Sequence, residues 1–190
     1  MSGQWDGIEW PVRTARLELR PSTPDDTADV FALRSHPDVA EWGYRWPRDA
    51  GAFAEIWTEL CESHLSVLLG GTLIGDFMLH IRDGWAQLDV ADQAERAEAE
   101  LGYAFHPDHH GKGYATEAGA AVLEIAFASL GVRRVTAGVF ADNVPSWRLL
   151  ERLGMRREGH NLRDSLHRER GWLDGYTYAL LADERSPARD

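Results

Sequence analysis

At 190 residues with a single cysteine, Cys61, the chain is long enough to bury one core, and it cannot form an internal disulfide, a cysteine zinc site or a paired-thiol redox motif. Its formal charge of −11 argues against a face for nucleic acid and favours a cationic ligand such as an amine, although surplus carboxylates also simply keep a protein soluble. No basic-then-apolar leader and no apolar run near ~20 residues is present, so the expectation is a cytoplasmic protein that does not cross a membrane.

Arg16-Leu17-Glu18-Leu19-Arg20 alternates with period two and is closed by Pro21, as a half-buried strand should be. Thr23 or Asp25 caps a helix that runs through Val30, Phe31 and Leu33 and ends before Pro37. A second helix over 49–63 places Phe53, Ile56, Trp57 and Leu60 on one face, and Cys61 beside them reads as a packing residue. Leu65–Leu69 and Leu73–Ile81 flank Gly70-Gly71, a dipeptide suited to a two-residue hairpin turn. Residues 82–98 are acidic and poorly periodic, which predicts a solvated loop or strand extension.

A strand over 99–106 follows, then a turn, a helix over 115–130 and a strand over 134–140. A short helix over 144–153 is stopped by Gly154, and strands over 155–161 and 175–181 complete the chain. The interleaving of strands and helices predicts one α/β (α+β) domain over 13–182 with a mixed sheet, between tails at 1–12 and 183–190.

The segment from Glu100 to Ala118 carries the chemistry. A strand runs through a glycine-bearing turn, Gly111-Lys112-Gly113, directly into a helix. Glycines let backbone approach a ligand closely, and the unpaired N–H groups of a first helical turn, aligned with the helix dipole, suit a pyrophosphate. The spacing matches neither the NTPase P-loop nor the dinucleotide fingerprint. By itself such a turn is also an ordinary tight turn before a helix.

In context it resembles the GNAT superfamily of acetyl-coenzyme A-dependent N-acetyltransferases, in particular the RimJ/RimL-type branch that acetylates ribosomal-protein N-termini. The superfamily signature, Gln/Arg-x-x-Gly-x-Gly/Ala, is filled here by His110, Gly111, Lys112, Gly113, Tyr114 and Ala115, with His110 departing at the first slot. Asn143-Val144-Pro145-Ser146 and Glu151-Arg152-Leu153-Gly154-Met155 match the family's second coenzyme A element.

The resemblance implies a splayed sheet flanked by helices on both faces and acetyl-CoA as acyl donor, without a metal. His106, His109 and His110 have only Asp108 as a neighbouring carboxylate, and loop histidines are the plainer reading. It also implies cofactor contacts from the backbone of Tyr103 and Phe105, from His110 through Thr116, and from Asn143 and Ser146. The side chains of Tyr103 and Phe105 read as core. Lys112, the only lysine, is either a mobile charge near the phosphates or a solvated surface residue.

Glu100 matches a position often used as general base, and Ser146 a position proposed as general acid in that branch; the tyrosine many members place seven residues past the asparagine is Leu150 here. Glu100 is equally an edge-strand surface glutamate, and Ser146 a first-turn helix residue. Glu41, Trp42 and Trp46, with Tyr44 beside them, and Tyr176, with Trp172 and Tyr178, are the candidate acceptor-binding residues, because aromatic walls plus a carboxylate suit a cationic amine. The function so implied is transfer of acetyl to a protein N-terminal amine or a small cationic amine by direct attack, in a homodimer. Transfer of a larger acyl group such as succinyl, and a non-catalytic acyl-CoA-binding module, are the alternatives.

Overall fold

In a computed structural model of the chain, residues 3–43 and 49–184 are described. The fold is mixed α/β, with one open, mostly antiparallel sheet flanked by helices. Its strands are β1 (Val12–Arg13), β2 (Glu18–Pro21), β3 (His64–Leu69), β4 (Thr72–Arg82), β5 (Glu98–Phe105), β6 (Arg134–Phe140), β7 (Arg156–His167) and β8 (Gly171–Leu181). They hydrogen-bond in the order β1-β2-β3-β4-β5-β6-β8-β7. The helices are α1 (Thr27–Ser35), α2 (Pro37–Trp42), α3 (Ala50–Leu60), α4 (Tyr114–Glu124) and α5 (Val144–Arg152). No helix among the described residues is long and apolar enough to cross a membrane.

The chain packs as two compact units, Met1–Leu79 with Gly102–Val122, and His80–Leu101 with Leu123–Asp190. In the first, β1 to β4 pair antiparallel, and the β3–β4 hairpin turns at Gly70 and Gly71, whose φ angles are +56° and +84°. Both positions lie where an L side chain is strained, which is why the turn takes two glycines. Leu19, Leu65, Val67, Ile74 and Phe77 of these strands are fully buried. Helix α3 begins at Asp49, whose side chain caps Ala52 N–H at 2.8 Å, and buries Phe53 and Trp57 beside Val30 and Cys61. Burial pushes the Cys61 thiol pKa up, consistent with a packing residue.

This unit also buries charge. The Asp26 carboxylate accepts from Arg20, from Thr23 N–H and from Ser66 Oγ, and although burial alone would raise its pKa, these bonds hold it below the usual carboxylate range. Asp76 is fully buried on β4 and paired with Arg34, while its Oδ1 has no hydrogen-bond partner.

In the second unit β5 and β6 pair parallel over Glu98–Glu100 and Arg134–Thr136, β6 pairs antiparallel with β8, and β8 with β7. Ala99, Val135, Ala137, Leu149, Leu150, Met155 and Tyr178 to Leu180 form its core.

Four local features differ from the sequence expectation. Glu41 and Trp42 lie on α2, a short helix opened by Pro37 and capped by His36, where the sequence reading has no helix between the one ending before Pro37 and the one over 49–63. The helix expected over 115–130 is α-helical only to Glu124 and then widens into a π-turn over Ile125–Ser129, where Leu130 N–H reaches Ile125 O at 3.0 Å. The final hairpin is longer than 155–161 and 175–181 suggested, because bulges at Arg157/Gly159 and Asn161/Ser165 interrupt the alternation that marks a strand. Residues 88–94 turn as a 3₁₀ segment, leaving Trp85 and Leu88 exposed.

Candidate functional site

The first unit supplies a backbone cradle. β5 ends at Phe105, a 3₁₀ turn runs over Pro107–His109, and α4 starts at Tyr114. Between them Gly111 and Gly113 take φ angles of +71° and +80°, so both positions require glycine. A Cβ on Gly111 would meet no atom within 4 Å, which leaves open space against the turn. The first helical N–H groups of α4 lack intrahelical acceptors by construction, and the helix dipole adds partial positive charge there. The arrangement can hold an anion.

Side chains fix that turn from three directions. His110 Nε2–H donates to Phe105 O at 2.9 Å, so the residue at the first signature slot fastens the strand end. Lys112 Nζ donates to Asp108 O at 2.9 Å while the residue stays exposed. Arg16, just before β2, donates from Nη1 to Lys112 O at 2.9 Å and from Nε to Glu117 Oε2 at 2.7 Å. Glu117, in the first turn of α4, also accepts from Thr14 Oγ1 at 2.5 Å and Arg16 N–H at 2.8 Å. Burial would raise its carboxyl pKa, but these bonds hold it low.

The Tyr103 and Phe105 rings pack on Phe77, at 5.5 and 5.6 Å, as core side chains do. Ala115 and Thr116 lie half-buried in the first turn of α4. His106 faces His36 at 5.3 Å and His109 at 6.1 Å. Burial, with Lys112 nearby, pushes the His109 pKa below the ordinary imidazole value. Among the described residues no three His, Cys, Asp or Glu side chains gather as a metal set.

Glu41 and Trp42 lie on α2 of the first unit, and the second unit holds Glu100, Asn143, Ser146, Trp172, Tyr176 and Tyr178. Glu100 is half-buried on β5, in register with Thr136. Asn143 caps α5 through its side-chain oxygen, which accepts from Ser146 N–H at 3.3 Å, and Ser146 is half-buried in the first turn. Leu150 is 1% exposed, so its slot offers packing and no hydroxyl.

Tyr176 carries the Arg157 guanidinium 3.8 Å above its ring, with His160 5.1 Å and Trp147 6.5 Å away. Arg157 Nε also donates to Tyr178 OH at 3.0 Å, and that hydroxyl donates to Glu151 at 3.0 Å. Tyr178 is fully buried, whereas Trp172 is largely exposed. Trp46 and its neighbour Tyr44 lie outside the described residues.

Sequence reasoning missed the Arg16–Glu117 bond, whose partners stand 101 residues apart, and the Arg157 stack on Tyr176. Arg16 was visible only as the first residue of an alternating run, although β2 itself begins at Glu18, and nothing local announces so distant a partner.

Residues 16–156 match the acetyltransferase (GNAT) domain family. The Bacillus subtilis protein named uncharacterized N-acetyltransferase YnaD is 39% identical over 85 residues, 45% of this chain. That match spans 49% of YnaD, about half its length. A crystal structure of a GNAT-family acetyltransferase from Bacillus anthracis superposes with a TM-score of 0.76 at 26% identity, covering 90% of this chain and 98% of that one. Mycobacterium smegmatis RimJ, in complex with CoA-disulfide, has the same fold, with a TM-score of 0.75 at 22% identity over 94% of this chain and 91% of that one.

Proposed function

The chain belongs to the GNAT acetyltransferase family, and from that membership we propose that it is an N-acetyltransferase taking acetyl-CoA as donor and a primary amine as acceptor. The observation that carries the reading is the turn at Gly111 and Gly113, with two left-handed glycines, open space beside Gly111, and a helix starting at the next residue. The donor, when bound, supplies an activated thioester. Gly111 to Thr116 hold its pyrophosphate through main-chain N–H groups, and Tyr103 and Phe105 offer strand backbone to its pantetheine arm.

Glu100 accepts the proton an ammonium must lose before its nitrogen attacks, and Ser146, on a helix turn fixed by Asn143, returns one to the leaving sulfur. Leu150 leaves no phenol for that second task. The acceptor is a protein N-terminus, as in the RimJ/RimL-type branch, or a small cationic amine, and Glu41, Trp42, Trp46 and Tyr176 are each a candidate for contacting it. Residues 13–182 form the catalytic domain, which works in the cytoplasm as a homodimer.

Calorimetry of acetyl-CoA against wild type and Gly113→Trp tests the donor. Binding that is lost in the variant, at unchanged wild-type thermal stability, supports the reading, and absence of wild-type binding sinks it. Glu100→Gln and Ser146→Ala should then lower kcat by about 10²-fold or more with cofactor affinity retained. A protein that binds acetyl-CoA but turns over no amine is a non-catalytic acyl-CoA module, and one that prefers succinyl-CoA is a different acyltransferase.

A further inference from the structure

Arg16 stands 96 residues before Lys112 in sequence, yet its side chain ends at the cradle. We propose that Arg16 is a positioning residue for the cofactor's pyrophosphate, locking the Lys112–Gly113 peptide plane and screening the Glu117 carboxylate from the bound anion. The inference rests on the reading of the Gly111–Thr116 turn as the cofactor cradle.

The first half follows from peptide geometry. In a trans peptide the C=O of one residue and the N–H of the next point in opposite directions. Arg16 Nη1 holds Lys112 O at 2.9 Å, so the Gly113 N–H is aimed away from Arg16, to the opposite side of the turn. A turn built from glycines has little intrinsic preference for one orientation of that plane, and a charge-assisted bond to the carbonyl supplies it. The guanidinium also lies against Gly113 itself: a Cβ there would sit 3.4 Å from Arg16 Nη2. Its central carbon stands 4.5 Å over the Tyr114 ring, so the first helical residue is held by the same group.

The second half is electrostatic. Glu117 puts a negative charge in the first turn of α4, the same turn that is to hold a negatively charged pyrophosphate. Its side chain is 17% exposed, so water screens it poorly, and Arg16 Nη2 meets Oε2 at 2.7 Å. Unneutralised, that carboxylate would oppose an anion at the helix N-terminus. Arg16 therefore contributes in two separable ways, by orientation through Lys112 and by charge cancellation through Glu117.

Binding of three probes separates these contributions from a general loss of structure. Coenzyme A and 3′-dephospho-coenzyme A both carry the pyrophosphate, and pantetheine lacks it. Calorimetry serves for the first two and ligand-observed NMR titration for pantetheine. Arg16→Ala should weaken both nucleotides by a similar factor of about tenfold or more and leave pantetheine unchanged. Arg16→Ala/Glu117→Gln should recover part of that loss, because the double variant leaves no bare carboxylate. Arg16→Lys keeps the charge but not the fork that reaches both partners, and should fall between wild type and Arg16→Ala; it also stands in if Arg16→Ala does not fold.

Nucleotide affinity within twofold of wild type in Arg16→Ala, or an equal loss for pantetheine, overturns the proposal. Wild-type affinity in Arg16→Lys overturns the orienting half, and a double variant no tighter than Arg16→Ala overturns the screening half. A wild-type protein that binds no coenzyme A overturns the cradle reading itself and the role of Arg16 with it, whereas tight wild-type binding that Arg16→Ala does not alter overturns the role of Arg16 alone.

Discussion

Glu117 shows how one carboxylate can serve stability as well as a site. Burial opposes its charged form, yet Thr14 and the side chain and backbone of Arg16 more than compensate, so its folded pKa lies below the unfolded value near 4.5. A depressed carboxyl pKa stabilises the fold fully above the unfolded value, and that contribution is lost as pH falls through the folded one. Urea unfolding of wild type should therefore lose stability on acidification below about pH 4.5 more steeply than Glu117→Gln does. Equal slopes would remove Glu117 from the acid response. Asp26 obeys the same sign and will account for part of the wild-type slope that remains in the variant.

At the scale of elements, close approach decides more than propensity. A Cβ on Gly75 would lie 2.6 Å from Phe105 Cδ1 and 2.7 Å from Ala104 O, so β4 and the end of β5 are in contact at a position where only glycine fits. Gly75→Ala should cost about 1–3 kcal/mol in chemical denaturation, since one of the crowding atoms is backbone and cannot rotate away. Wild-type stability in that variant would show that β5 can shift freely.

The sequence announced these elements unevenly, for physical reasons. Paired glycines marked the β3–β4 turn, and Gly154 marked the end of α5, because each of these signals is local. Helix α2 was hidden by its six residues, too few for an apolar period. The π-turn after Glu124 was hidden because Ile125 and Ala126 are apolar and buried just as an α-helix would require. Of the candidate site, the shape of the glycine turn was legible, while the ties from Arg16, Thr14 and Glu117 depend on folding distant segments together.

For the whole molecule, the charge of −11 acts at a distance that no single contact reveals. If the acceptor is a cationic amine, its approach is helped by that field, and raising salt from about 10 mM to about 150 mM shortens the reach of the field from roughly 30 Å to roughly 8 Å. KM for a polyamine or a basic N-terminal peptide should then rise by about threefold or more, while KM for an uncharged amine stays flat. Parallel behaviour of charged and uncharged acceptors would separate the acidic surface from substrate choice and leave solubility as its role.

Lys112 gives the molecule a property of a different kind. It is the chain's only lysine, it is exposed, and it lies in the turn between Gly111 and Gly113. Amine-directed reagents therefore have one side chain to modify in the whole sequence, and that side chain belongs to the cradle. Mass spectrometry of a singly labelled peptide becomes an occupancy gauge, in which whatever covers the turn registers as protection of one amine. No engineered tag is needed for such footprinting, because an arginine-rich composition leaves no second lysine side chain to compete for the reagent.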